Sequence, residues 1–256
     1  MNSLVRLIQS GVGGLLARAG YSLIPTWRLE NRGLAQHLGR LFVQCEVDCV
    51  FDVGANDGGY ATFLRQEVGF RGVIHSFEPV ARLADKCREL AKADPLWHIH
   101  QYALGESDGV AEINVMTESV FSSFLEPSTD FTNVFQNSNA IDHTETVSVR
   151  TLEGIIPSLR ADGASIRPYL KIDTQGFDIA VIRGAGASLD SMIGIQTELS
   201  FCPLYQNMPS WRDVLILLEN RQFQVSNMFA VSIDTDLRAL EFDCVLVNSR
   251  SRSPLA

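Results

Sequence analysis

Four acidic residues stand at places where the chain stops being apolar. Asp52 precedes a glycine-rich stretch, Gly54-Ala55-Asn56-Asp57-Gly58-Gly59. Glu78 follows 26 residues after Asp52, immediately before Pro79. Asp173 and Glu198 close two later apolar runs, PYLKIDTQG and IGIQTELS. Glycine admits positive φ and lets a ligand approach the backbone. An acid closing a second strand can accept hydrogen bonds from both hydroxyls of a ribose. The turn and Glu78 together therefore point to an adenosine-bearing ligand. A dinucleotide would need glycine at position 56 and no acid at Asp57, because its diphosphate seeks a bare helix N-terminus. S-adenosylmethionine has no phosphate and carries a sulfonium and an ammonium, which suit Asp52 and Asp57. The sequence favours that donor over a dinucleotide such as NAD.

Asp173 and Glu198 suit chemistry on a hydroxyl. Carboxylates at neighbouring strand ends can share a proton, which raises one pKa toward neutrality and makes a base. They can also serve as hard oxygen ligands for magnesium or calcium, the less favoured alternative. Asp173 is the first choice for the base, with helix capping as its plain structural role. Lys171 lies two residues earlier on the same face and can pair with either acid. His143 sits in a polar segment before TVSV, as a base delivered by a lid or as a solvated side chain. Ser122 and Ser123 can contact cofactor or acceptor, or simply turn the chain. Tyr205 can wall an acceptor pocket. His75, His98, His100, Trp97 and Trp211 read as packing or surface residues.

The elements that must hold these groups alternate. Residues 28–46 carry Leu34, Leu38, Leu41 and Phe42 at helical spacing. DCVFDVG reads as a strand, YATFLRQEVG as a helix, GVIHSFEP as a strand, ARLADKCRELAKAD as a helix with Leu83, Cys87 and Leu90 on one face, and WHIHQYALG as a third strand. That alternation predicts a parallel sheet with helices on both faces. AEINVM and TVSVRTL then alternate in the manner of half-buried antiparallel strands. The polar segment 121–143 between them is long enough to act as a lid. Strand and helix character returns from PYLKIDTQG to SWRDVLILLENRQ, and FQVSNMFAV with EFDCVLVN forms a closing antiparallel pair.

Composition bounds the function. The chain has 256 residues, 46% hydrophobic and 20% charged, enough to bury a core. Its net charge of −9 argues against a nucleic-acid partner. The five cysteines form no CxxC pair, which suits reduced thiols in the cytoplasm. Residues 3–19 read as an amphipathic helix packing on the main domain, or else resting on a membrane surface or a partner enzyme.

VFDVGANDGGYA, SFEP, ALGESDG, SSFLEP, VRTLEGI, LKIDTQGFD and IQTELSFCPLY, in that order, resemble the FkbM family of S-adenosylmethionine-dependent methyltransferases. The resemblance implies an α/β class I (Rossmann-like) methyltransferase fold. Its seven-stranded sheet would have one antiparallel strand, helices on both faces, and a β-hairpin or lid inserted between the third and fourth core strands. It sets residues 1–47 as an N-terminal helical extension, 48–248 as the methyltransferase domain and 249–256 as a tail. It implies O-methylation of a hydroxyl on a sugar of a glycan, glycolipid or glycosylated natural product. It places Asp52, Gly54, Ala55, Asn56, Asp57 and Gly58 along the methionine and ribose, Glu78 and Pro79 at the ribose, Ala103 and Leu104 at the adenine, and Ser122 and Asp173 nearby. Catalysis would fall to Asp173, Glu198, Lys171 and His143. An NAD-dependent oxidoreductase and a non-catalytic scaffold are the alternatives.

Overall fold

The computed structural model describes residues 31–128, 140–159 and 165–251. The helix expected over 3–19 lies outside the described residues, as do 129–139 of the long polar segment and the end of the tail. The described residues open with helix α1 (Arg32–Gln44), inside the 28–46 expected, of which 28–30 lie outside the described residues. Next come strand β1 (Cys49–Val53), helix α2 (Gly59–Phe63) running into a π-helical turn (Leu64–Val68), β2 (Val73–Phe77), and α3 (Ala81–Ala91). The expected third strand is split: β3 (Trp97–His100) stays in the main sheet, and β4 (Ala103–Leu104) leaves it. β5 (Gly109–Met116), β6 (Ile141–Arg150), α4 (Leu152–Leu159), β7 (Pro168–Ile172), α5 (Asp178–Gly184), β8 (Gly194–Ser200), α6 (Trp211–Asn220), β9 (Phe223–Ile233) and β10 (Ala239–Asn248) complete the order.

Seven strands form one sheet in the order β3-β2-β1-β7-β8-β10-β9. The first five run parallel, and β10 runs antiparallel to both its neighbours. This is the sheet with one reversed strand that the family resemblance implies. The inserted hairpin is present too: β5 pairs antiparallel with β6, and β4 adds to β6 as a third, parallel strand.

Alternation along the central strands divides the core between the two faces. Phe51, Leu170, Ile195 and Leu246 point to one side, against Ile156 of α4, Val181 of α5 and Leu218 of α6. Their sequence neighbours Val50, Tyr169 and Val245 point to the other, against Leu38 of α1, Leu64 of the π-helical turn and Cys87 of α3. Each fully buried side chain of this size contributes about 1.5–3 kcal/mol of transfer free energy. On α3, Leu83 and Cys87 are buried, whereas Leu90 is 52% exposed because it lies past the edge of the sheet-facing stripe. The five cysteines form no disulfide. No described helix is long and apolar enough to cross a membrane.

Strand order reverses between β1 and β7, and a crevice opens at the carboxyl ends of strands at such a point. The backbone there is drawn tight. Gly54 N and Ala55 N both donate to Phe77 O, and Asp173 N donates to Val53 O. The hairpin sheet closes over this edge through Ile113, Val115 and Val147, packed on Val80 and Leu83.

Candidate active site

The crevice holds a cavity of about 340 Å³, within the range of small-ligand sites. One end is apolar, with Phe77, Leu83, Ala103, Leu104 and Ile113. The middle carries Gly54, Asn56, Glu78 and Pro79, and the far end Asp173, Gln175, Glu198 and Glu241. Ser122 and its neighbours from Ser119 to Phe124 line it too, with Val53, Thr174 and Val231. Four lining residues are acids, and none of the described lining residues is Lys or Arg.

Gly54 must be glycine. Its φ is +76°, and a Cβ there would sit 1.9 Å from Asp173 O. Asn56 also has a positive φ, +48°, which asparagine tolerates better than most residues. Its N–H donates to Glu78 Oε2 at 2.8 Å, and its side-chain Oδ1 accepts from Ser119 Oγ at 2.9 Å. Glu78 Oε1 accepts a second backbone N–H, from Val80, at 2.9 Å. Burial pushes the Glu78 carboxyl up to about 7, against these two N–H groups, which favour the ionised form. A carboxylate has about four lone-pair positions, so Glu78 keeps acceptor capacity toward the cavity.

At the far end, Gln175 joins the two predicted acids. Its Nε2 donates to Asp173 Oδ1 at 3.2 Å and to Glu198 Oε2 at 2.9 Å. Its Oε1 lies 3.0 Å from the Tyr205 hydroxyl, which also reaches Phe121 O at 2.7 Å. The Ser123 hydroxyl donates to Gln175 O at 2.7 Å. Burial, with Asp173 and Glu241 nearby, holds the Glu198 carboxyl well above its usual range. Asp173 does not cap α5, whose N-cap is Phe177; its side chain is 38% exposed.

Several expected site residues lie elsewhere. Asp52 lies beneath the crevice floor, not along its lining: it is fully buried, accepting from Ser76 Oγ at 2.8 Å and facing Lys171 Nζ at 3.4 Å. Gly58 packs under Trp97 and Leu90 as the N-cap of α2. Ala55 and Asp57 line an adjoining groove of about 410 Å³ with Tyr60, Lys171 and Asp243, which meets the cavity at Gly54, Asn56 and Asp173. Lys171 pairs with Asp173 at 3.4 Å as well as with Asp52, and does not pair with Glu198. His143 belongs to β6, not to the polar loop, and is not brought to the cavity. It is exposed between Asp142 and Glu145, which raise its pKa. Asp173 and Glu198 are bridged by the Gln175 amide. Among the described residues no three His, Cys, Asp or Glu side chains group as a metal site.

The sequence reading missed Gln175, Ser119 and Glu241. Gln175 was visible inside LKIDTQGFD, since an amide two residues past an acid at a strand end can turn back onto it. Glu241 was missed because the sequence does not say that EFDCVLVN lies beside β8.

The sequence profile described as Methyltransferase FkbM domain matches residues 52–225. The chain belongs to the FkbM methyltransferase family. The matched segment holds Gly54, Glu78, Asp173, Gln175 and Glu198 of this methyltransferase, and ends before β10 and Glu241. Similar solved structures include an rRNA methylase from Streptococcus thermophilus, at 9% identity over 89% of this chain and 99% of that one, TM-score 0.46. M. capricolum TrmK in complex with S-adenosyl-homocysteine shares 7% identity over 85% of this chain and 71% of that one, TM-score 0.43. A SAM dependent methyltransferase from Aquifex aeolicus shares 12% over 88% and 94%, TM-score 0.41. No curated protein matches the chain.

Proposed function

We propose that this methyltransferase uses S-adenosylmethionine to methylate a hydroxyl of a sugar, in a glycan, glycolipid or glycosylated natural product. The observation that carries the reading is the one-signed lining of the cavity, four acids and no cation among the described residues. That lining suits a phosphate-free cationic donor and leaves the diphosphate of a dinucleotide without a counter-charge.

The residues present fit the donor. The slot of Phe77, Leu83, Ala103, Leu104 and Ile113 would take the adenine, and the free lone pairs of Glu78 would accept from the ribose hydroxyls. Gly54 and Asn56 bring bare backbone to the passage between Glu78 and Asp173. When bound, the donor supplies an electrophilic methyl on a positively charged sulfur. Asp173, whose side chain is 38% exposed, accepts the proton of the acceptor hydroxyl. Lys171 Nζ lies 3.4 Å behind it. Gln175 fixes the carboxylate's direction. Positioning of this kind is worth up to about 7–11 kcal/mol in favourable cases, and a base in reach adds about 10²–10⁴ in rate.

The test is incubation of the full chain with isotope-labelled methyl donor and a glycan and glycolipid extract, with the label located by mass spectrometry. Label on a sugar oxygen supports the reading; label only on nitrogen or carbon removes it. Calorimetry with S-adenosylhomocysteine and with NAD gives a separate answer on the cofactor.

A further inference from the structure

We propose that the acceptor sugar binds in the groove beside the donor cavity, between α1, α2 and the sheet, and reaches Asp173 from that side. This placement rests on the O-methylation reading and adds a subsite for its acceptor. The cavity of about 340 Å³ is near the lower end of the range for small-ligand sites, about 300–1,000 Å³. A nucleoside-bearing donor seated there leaves little room for a second ring. The groove adds about 410 Å³, and it opens on the cavity at Gly54, Asn56 and Asp173, where the proposed base stands. Gln175 and Glu198 are not part of its lining, so a hydroxyl arriving by that route meets Asp173 with the amide bridge left in place.

The groove has the two kinds of surface that suit a sugar ring. Tyr60 and Phe63 of α2, ring centroids 5.9 Å apart, form a wall with Leu34 of α1. The C–H face of a ring packs on such a surface. The floor is polar: Gln196 and Lys171, 2% and 5% exposed, both line it. Wall and floor are tied before any ligand arrives. The Tyr60 hydroxyl donates to Gln196 Oε1 at 2.8 Å, and Gln196 Nε2 donates to Asp243 Oδ1 at 3.0 Å. A side-chain amide has two N–H donors and a carboxylate two oxygens, so Gln196 and Asp243 can each serve a ring hydroxyl as well. A surface fixed in this way lowers the ordering cost of binding. Asn31, Leu34 and Asp243 of the groove lie outside the matched segment 52–225, whereas the residues read as holding adenine and ribose all lie inside it. That division suits a donor held by shared residues and an acceptor held in part by this chain's own.

The test is the labelled-donor assay run as a titration of the glycan and glycolipid extract, on wild type, Gly59→Trp and Phe63→Ala, with S-adenosylhomocysteine calorimetry on each. Gly59 lines the groove and is exposed, and a Cβ there would meet only Asp57 Oδ1, at 3.5 Å. A tryptophan at that position therefore plugs the mouth without straining the backbone. It should raise the extract concentration for half-maximal labelling by about tenfold or more. Phe63→Ala should raise it about two- to tenfold, the scale of one aromatic contact. Both should keep wild-type S-adenosylhomocysteine affinity. An unchanged titration in either folded variant overturns the proposal while leaving O-methylation standing, and Gly59→Trp decides alone should Phe63→Ala unfold. Loss of S-adenosylhomocysteine binding in Gly59→Trp also overturns it, because the groove would then hold the methionine end of the donor. Absence of wild-type label from every sugar oxygen, with S-adenosylhomocysteine still bound, removes the O-methylation reading and the acceptor subsite together.

Discussion

The side-chain amide of Gln175 reaches Glu198, Nε2 to Oε2 at 2.9 Å, and the same nitrogen reaches Asp173 Oδ1 at 3.2 Å. One neutral donor thus fixes two acids that would otherwise repel each other across neighbouring strand ends. Gln175 itself stands in the left-handed region, φ +51°, and its far side is held by Tyr205 and Ser123. The bridge therefore ties the ends of β7 and β8 to the segment that covers the cavity.

Replacing that amide by a third acid removes both donors without changing shape. A hydrogen bond to a charged group is worth about 1.5–3 kcal/mol. Gln175→Glu should lower kcat for methyl transfer at neutral pH by at least about tenfold, with S-adenosylhomocysteine binding kept. Steady-state kinetics read the first and calorimetry the second. Wild-type kcat would mean that the amide bridge is idle in catalysis.

The Asp173 side chain is 38% exposed and does not cap the helix that follows. Asp173→Asn keeps size and Gln175 contact but cannot take a proton. Transfer should fall by about 10²–10⁴, and cofactor affinity should persist. Full activity in this variant would move the base elsewhere, with Glu198 next in line.

At Gly54 the chain leaving β1 runs against the backbone leaving β7. A Cβ at φ +76° and 1.9 Å from Asp173 O forces the two strand ends apart. Gly54→Ala should lower stability by about 1–3 kcal/mol from backbone strain alone and abolish S-adenosylhomocysteine binding. Thermal unfolding and calorimetry test it; a variant that binds normally would show that the crevice does not depend on this contact.

The sheet was legible because its strands are nearly all apolar and end on acids and glycines. Gly54, Glu78, Asp173 and Glu198 could be placed at one edge from that pattern alone. Depth was not legible. Asp52 and Gly54 are two residues apart, and strand alternation alone would give them one face; β1 ends at Val53, and the positive φ of Gly54 turns the chain into the crevice while Asp52 stays buried. Gly58 looked like part of a ligand-binding turn, but Trp97 from β3 fills the space beside it. His143 sits on a strand because β6 begins earlier than the polar composition of 121–143 suggested. Glu241 opens the expected strand EFDCVLVN, but period-2 alternation does not reveal that β10 lies beside β8.

Lys171 and Asp52 form the buried ion pair beneath the site, with side chains 6% and 0% exposed. Asp52 Oδ1 has only this long ionic contact and no hydrogen bond. Removing one partner of such a pair leaves an uncompensated charge and costs about 3–5 kcal/mol. Lys171→Met should therefore lower the denaturation midpoint sharply, and the double variant Lys171→Met/Asp52→Asn should recover part of the loss. A single variant as stable as wild type would show that the pair carries no structural weight.

Glu78 makes cofactor binding pH-dependent, with a definite sign. Its folded carboxyl titrates at about 7, above the ordinary 4.5, because burial outweighs the N–H groups of Val80 and Asn56. A raised acid favours the folded apo protein fully below the unfolded value, and that contribution is lost as pH rises through about 7. Ribose hydroxyls donating to the carboxylate favour the ionised form, so the ligand opposes this loss. S-adenosylhomocysteine should bind more tightly as pH rises from about 6 to about 8, with release of a proton near the lower end. Glu78→Gln should bind weakly and without that slope. Calorimetry in buffers of different ionisation enthalpy measures both affinity and proton release; a flat wild-type profile over this window would take Glu78 out of the cofactor site.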